Sequence, residues 1–239
     1  MGKIGYGYGS EWQLMRFLGH HRNRLDEEIK KQIGERGDLH WLDFNFSDSD
    51  KNITGDEELK GLDFLKKLPF VSKQQQEKVK EEACKYEITG IDTRWQNWDA
   101  IFYIEDRVYL VEAKAHTKEL SGSKNSERKS EDKILNYMKD LLPDLPVSKD
   151  WLKEYYQLAN RLATAALLNK HGIKAKVLYL FFENGYKKIS YRKINKSASK
   201  GDFKKAMEAE KKALGISGEK ALDKIMARPV FIDAEGKVS

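Results

Sequence analysis

The sequence predicts an α/β fold, with one central mixed β-sheet flanked by helices. Two runs rich in strand formers, Trp98–Ile104 and Arg107–Lys114, are parted only by Glu105-Asp106. Both faces of each run are largely apolar, as expected of strands inside a sheet covered on both sides. A third run, Lys174–Glu183, follows a long helical stretch, so antiparallel and crossover connections mix around one sheet.

The elements read as follows. Gly5-Tyr6-Gly7-Tyr8-Gly9 opens the chain with no preceding strand and no Lys-Ser/Thr of a phosphate loop, so it reads as a terminus. Ser10 followed by Gln13 reads as a capping box that starts a helix. Leu14, Phe17, Leu18, Leu25, Ile29 and Ile33 continue it at helical spacing, and Gly19 is expected to bend or split it near His20-His21. Residues 39–47 read as extended, and 48–56 as a polar loop. Two short helices follow, near 56–68 and 72–86 around Pro69, so 38–86 reads as a mostly helical insertion. Beyond the strand pair, 117–132 is a polar loop. Helices are expected over 132–141 and 149–170, the second ended by Gly172. Asn184-Gly185 should return the strand 174–183 into 186–194. A basic helical extension, 195–239, holds a lysine-rich helix near 202–214, a short one over 218–226 and an extended piece over 229–233.

With 239 residues the chain reads as a single domain, its core about 10–36 and 86–194. Hydrophobic residues at 40% exclude wholesale disorder. The net charge of +6 suits a polyanionic partner. Cys84 is the sole cysteine, so a disulfide framework is impossible. No apolar run is long enough for a membrane span, and the first ten residues lack a signal peptide's apolar core, so a soluble cytoplasmic protein is expected.

The chemistry concentrates on the strand pair. Glu112 and Lys114 share one face of their strand with Val108 and Leu110, so a carboxylate and an ammonium close an otherwise apolar run. If Glu105-Asp106 is a two-residue turn, Ile104 pairs with Arg107, and counting back sets Asp99 opposite Glu112. Two carboxylates that close repel, and one takes up a proton unless a divalent cation lies between them. Such hard oxygen ligands suit Mg²⁺ or Mn²⁺. Lys114, beside them, is placed to hold or activate water. On this reading Asp99→Ala and Glu112→Ala relieve repulsion and leave the fold intact.

Asp99 followed by Glu112-Ala113-Lys114 resembles the catalytic signature of the PD-(D/E)XK nuclease superfamily, with Val108-Tyr109-Leu110-Val111 leading into it. Trp98 stands where that family often has proline. The resemblance covers about 10–30, 86–116 and 149–183, and leaves the insertion and the C-terminal third unaccounted for. It implies a restriction-endonuclease-like core with a helical insertion. It implies one or two metal ions held by Asp99, Glu112 and the Ala113 carbonyl, with Lys114 acting on water. It implies a further acid, Glu11, on the first helix; an acid there is equally favoured by the helix dipole. Gln157 matches, weakly, a glutamine that some relatives carry after the motif strand.

Other signals stay open. His116, two residues beyond Lys114, reads equally as a site edge or a strand end. Lys118, Lys124, Arg128 and Lys129 in the 117–132 loop are candidates for nucleic-acid contact. The lysines of 202–214 form a DNA-facing surface or a solvated face diluted by Glu208 and Glu210. Asp48-x-Asp50-x-Asn52 fails as a calcium loop at Ile53 and Leu59. The expected function is therefore a metal-dependent nuclease, most naturally on DNA. The alternatives are an inactive nucleic-acid-binding or assembly module of the same fold and an enzyme using carboxylate-bound Mg²⁺ on a small phosphorylated substrate.

Overall fold

The computed structural model describes residues 9–42, 59–85, 97–120, 131–153, 155–185, 189–190, 193–194 and 198–235. The first helical pattern splits where Gly19-His20-His21 suggested, into α1 (Ser10–His20) and α2 (Arg22–Ile33). There follow β1 (His40–Trp41), β2 (Leu59–Lys60), α3 (Lys73–Lys85), β3 (Asn97–Trp98), β4 (Ala100–Ile104), β5 (Arg107–Lys114), α4 (Glu131–Leu141), α5 (Tyr156–Lys170), β6 (Lys174–Glu183), β7 (Ile189–Ser190), β8 (Lys193–Ile194), α6 (Lys200–Ala213), α7 (Leu222–Ile225) and β9 (Val230–Asp233). Short 3₁₀ turns occupy Asp63–Lys67, Thr117–Glu119 and Lys149–Leu152.

The five-stranded sheet runs β1-β4-β5-β6-β9. β4 pairs antiparallel with both β1 and β5, and β6 and β9 continue in parallel, so the sheet is mixed. Ile104 pairs with Arg107 across the expected two-residue turn, where Glu105 adopts a φ of 52°.

Side chains alternate cleanly between two faces. Tyr109, Val111, Ala113, Leu178, Leu180 and Phe182 pack with Leu14, Phe17, Leu25 and Ile29 of α1 and α2. Val108, Leu110, Val177, Tyr179 and Phe181 pack with residues of α3 to α7. Strands apolar on both faces are thus covered on both faces, as their composition required.

Five expectations change. The start of α1 makes no side-chain cap; Gln13 is buried instead and donates from Nε2 to Gly185 O at 3.0 Å. β1 belongs to the main sheet, not to the insertion, because His40 and Trp41 ladder with Tyr103 and Phe102. No hairpin returns from β6: both its edges are taken by β5 and β9, and β7 pairs with β8. The C-terminal region is integral, since β9 completes the sheet. Part of the 149–170 helix is a 3₁₀ turn, whose buried Trp151 donates from Nε1 to Leu214 O at 2.9 Å.

The outer edge of β9 is closed by a side chain. Gln32 of α2 donates to Phe231 O at 2.9 Å and accepts from Phe231 N at 3.0 Å, and Arg24 donates to Asp233 O at 3.3 Å. One amide thereby imitates a neighbouring strand and blunts an edge. Gln32→Ala should lower the free energy of unfolding by about 1–2 kcal/mol in urea titration, from two lost hydrogen bonds. An unchanged midpoint would mean that water satisfies this edge equally well. Among the described residues no helix is long and apolar enough to cross a membrane.

Candidate functional site

The ladder between β4 and β5 has the expected register, with Ala100 opposite Val111. Asp99 lies just before it, at a bend between β3 and β4. Its Oδ2 accepts from the Ala113 N–H at 2.7 Å, so the carboxyl turns back onto β5 where a ladder bond would otherwise form. In extended backbone a residue's N–H and C=O point to the same edge, so the Ala113 carbonyl shares the Asp99 edge.

Glu112 and Lys114 leave β5 on the face covered by α5. Lys114 Nζ donates to Glu112 Oε1 at 2.6 Å, and Arg161 Nε of α5 donates to Glu112 Oε2 at 2.8 Å. All three are buried, at 3%, 7% and 8% exposure, so these are ion pairs largely out of water. The Arg161 guanidinium also lies 4.7 Å from the Trp98 ring centroid. Trp98 is itself fixed by donation from Nε1 to Gly61 O at 3.1 Å. The aromatic residue preceding Asp99 thus lines one side of the arginine.

The two carboxyls are driven apart in acidity. Burial pushes Glu112 up, but Arg161 and then Lys114 outweigh it and bring it down to about 2. Asp99 accepts from a backbone N–H, not a cation. Burial, then the charge on Glu112, raise it to about 7. Lys114 is raised: burial opposes its charge, but Glu112 and Asp99 outweigh that. A third carboxyl faces the group from α6. Glu210 is fully buried, and the Tyr179 hydroxyl donates to its Oε1 at 3.1 Å. Burial raises it to about 8. Tyr179 stands next to Glu112 in the β5–β6 ladder.

Set against family models, curated proteins and solved structures, the chain matches none.

Asp99, Glu112 and Lys114 are brought together as expected. The expected harmlessness of Glu112→Ala is corrected, because Glu112 is the shared anion of two buried cations and its removal strands both. Glu11 is exposed on α1, which packs on the opposite face of the sheet. Among the described residues no group of three or more His, Cys, Asp or Glu side chains is close enough to hold a metal ion. His116 accepts from the Lys118 N–H at 3.1 Å through Nδ1, so its place is that of a cap on the 3₁₀ turn Thr117–Glu119. Gln157 is exposed in the first turn of α5, and Arg161, four residues on along the same stripe, is the residue that meets Glu112. Lys118 is exposed, while Lys124, Arg128 and Lys129 lie outside the described residues.

Arg161, Trp98, Tyr179 and Glu210 were missed. Two had a signal. Arg161 stands among Leu158, Leu162 and Ala165 on the apolar stripe of its helix, where a guanidinium must find an anion. Glu210 follows Phe203 and Met207 at spacings of four and three, the buried stripe of α6, so it was never on the lysine face. Lys204, Lys205 and Lys212 of that helix are exposed.

The donors that a hard divalent cation could use are Asp99, Glu112 and the Ala113 carbonyl. Asp99 and the Ala113 carbonyl share the β4 edge and Glu112 adjoins them on the α5 face, so they fit as oxygen ligands, and an Asp99 carboxyl raised by burial and then by the Glu112 charge is consistent with that fit. The fit has one condition: Glu112 must release one of its two cations.

Proposed function

We propose that this chain is a metal-dependent nuclease that hydrolyses phosphodiester bonds in DNA, built on a restriction-endonuclease-like core. The observation that carries this reading is the meeting of Asp99, Glu112 and Lys114 at the end of the β4–β5 ladder, on one side of the sheet. Asp99, Glu112 and the Ala113 carbonyl would hold Mg²⁺ or Mn²⁺. Such an ion, when bound, supplies an activated water and neutralises charge growing on the phosphate. Lys114 holds a proton beside that water and orients it. Arg161 and Trp98 keep Glu112 in place from the α5 side. The net charge of +6 and the exposed lysines of α6 favour a polyanion as substrate.

A second reading rests on a specific observation: both oxygens of Glu112 are engaged by cations. A neutralised cluster of this kind suits a nucleic-acid-binding or assembly module without catalysis.

One experiment separates them. Supercoiled, linear and branched DNA are incubated with Mg²⁺, Mn²⁺ or EDTA, beside calorimetric Mn²⁺ titration. The nuclease reading expects cation-dependent cleavage, abolished in Asp99→Ala. Lys114→Ala should still bind Mn²⁺ but turn over far more slowly. DNA retention that weakens steeply with salt, with no cleavage and no Mn²⁺ binding, assigns the module reading.

A further inference from the structure

Glu210 has a feature that the cleavage reading does not use. It is fully buried, and its Oε2 has no hydrogen-bond partner among the described residues. A buried carboxylate oxygen left unmatched is unfavourable unless some state of the protein matches it. The charges that act on it are those of Lys114 and Glu112 on β5 and of Lys211 on α6, beside the hydrogen bond from Tyr179 on β6. Tyr179 holds Oε1 and so fixes the carboxyl's position. Of the two cations that clamp Glu112, Lys114 is the one whose charge Glu210 feels most, lowering its pKa against burial. Arg161 is held elsewhere by the Trp98 ring. The more readily displaced cation is therefore Lys114, on an unbranched and flexible stem.

We propose that Glu210 is a positioning residue, the second seat of Lys114: when a divalent cation engages Glu112, the Lys114 ammonium leaves Glu112 Oε1 and is received by the unpartnered Oε2 of Glu210. This rests on the cation-binding reading above. The carboxyl that receives the ammonium is ionised, and any proton it carried passes to solvent. The exchange keeps Lys114 inside the site, charged and beside the metal ligands. It also makes the C-terminal helix α6 part of the site rather than an appendage.

A double-mutant cycle on Mn²⁺ affinity, measured by calorimetry at pH 8.5 on the full chain, tests it. Glu210→Gln preserves volume and the acceptor for Tyr179. It should weaken Mn²⁺ binding about tenfold, the worth of one charged hydrogen bond. In a Lys114→Met background the same change should have no effect, because no ammonium then needs the seat. A purely structural role for Glu210 would weaken binding equally in both backgrounds, and that result, or no weakening in either, overturns the inference alone. A parent that binds no Mn²⁺ overturns the nuclease reading and this inference with it. If Glu210→Gln does not fold, Tyr179→Phe in the same two backgrounds, which frees Glu210 without removing its charge, must show the same dependence on Lys114.

Discussion

Glu112→Ala is expected to lower the free energy of unfolding by about 3–5 kcal/mol, the loss typical when one partner of a buried ion pair is removed. The physical reason is the loss of a shared anion. Lys114 at 7% exposure and Arg161 at 8% both direct a donor at this carboxylate, and neither can reach bulk water without repacking. Arg161 cannot shed its proton, so its charge stays buried. Equilibrium urea unfolding at pH 7 measures the change. The triple variant Glu112→Leu, Lys114→Met, Arg161→Met should recover much of the loss, since apolar groups of similar volume need no partners. A loss below about 1 kcal/mol for Glu112→Ala would mean that water reaches the pair, against the burial described here. Asp99→Asn should behave in the opposite way. It removes a carboxyl whose ionisation burial and Glu112 oppose, so stability at pH 8 should hold or rise.

Thermal stability of the cation-free protein should fall as pH rises from 5 to 8. The sign follows from two raised carboxyls. Asp99, ordinarily near 3.8, is raised to about 7, and Glu210, ordinarily near 4.5, to about 8. Between those limits the folded chain binds more protons than the unfolded one, so stability declines with pH, by about 1.4 kcal/mol per unit for each group. Glu112 has the opposite sign, but its contribution is complete above its ordinary value and is lost only as pH falls toward about 2. It therefore cannot offset the decline above pH 5. For a chain of this size each kcal/mol moves the midpoint by about 2–4 °C. Glu210→Gln should remove about half of the slope and raise the midpoint at pH 8 above that of the parent. Differential scanning calorimetry in EDTA decides. A parent midpoint that climbs from pH 5 to 8, or a Glu210→Gln slope equal to the parent's, would show that Glu210 is ionised at neutral pH and that its burial is relieved in solution.

Local pattern carried the hairpin. Its two strands are apolar on both faces, and Glu105-Asp106 leaves room only for a tight turn, so the register that brings Asp99 toward Glu112 could be counted off the residues. The strand 174–183 and the break between α1 and α2 were legible for the same reason, as short-range signals. The partners of β6 were not. Asn184-Gly185 is a strong hairpin signal, and Asn184 does take the positive φ that such turns use. Yet β6 is flanked by β5 and by β9 from the far end of the chain, so the turn leads away from the sheet. Gln13 shows the same competition at smaller scale, drawn from a cap to Gly185 across 172 positions of sequence.

What the sequence by itself determined is the α/β class, the order of the main elements, and the face shared by Glu112 and Lys114. These depend on periodicity within a dozen residues and on one short turn. The tertiary structure alone decided the charge state of that face. Arg161 from α5 meets Glu112 across 49 positions of sequence, and Glu210 from α6 meets Tyr179 across 31. Whether a carboxylate is near 2 or near 7 depends on which cation stands within a few ångströms of it and on how much water is left, and no spacing within one strand contains that information.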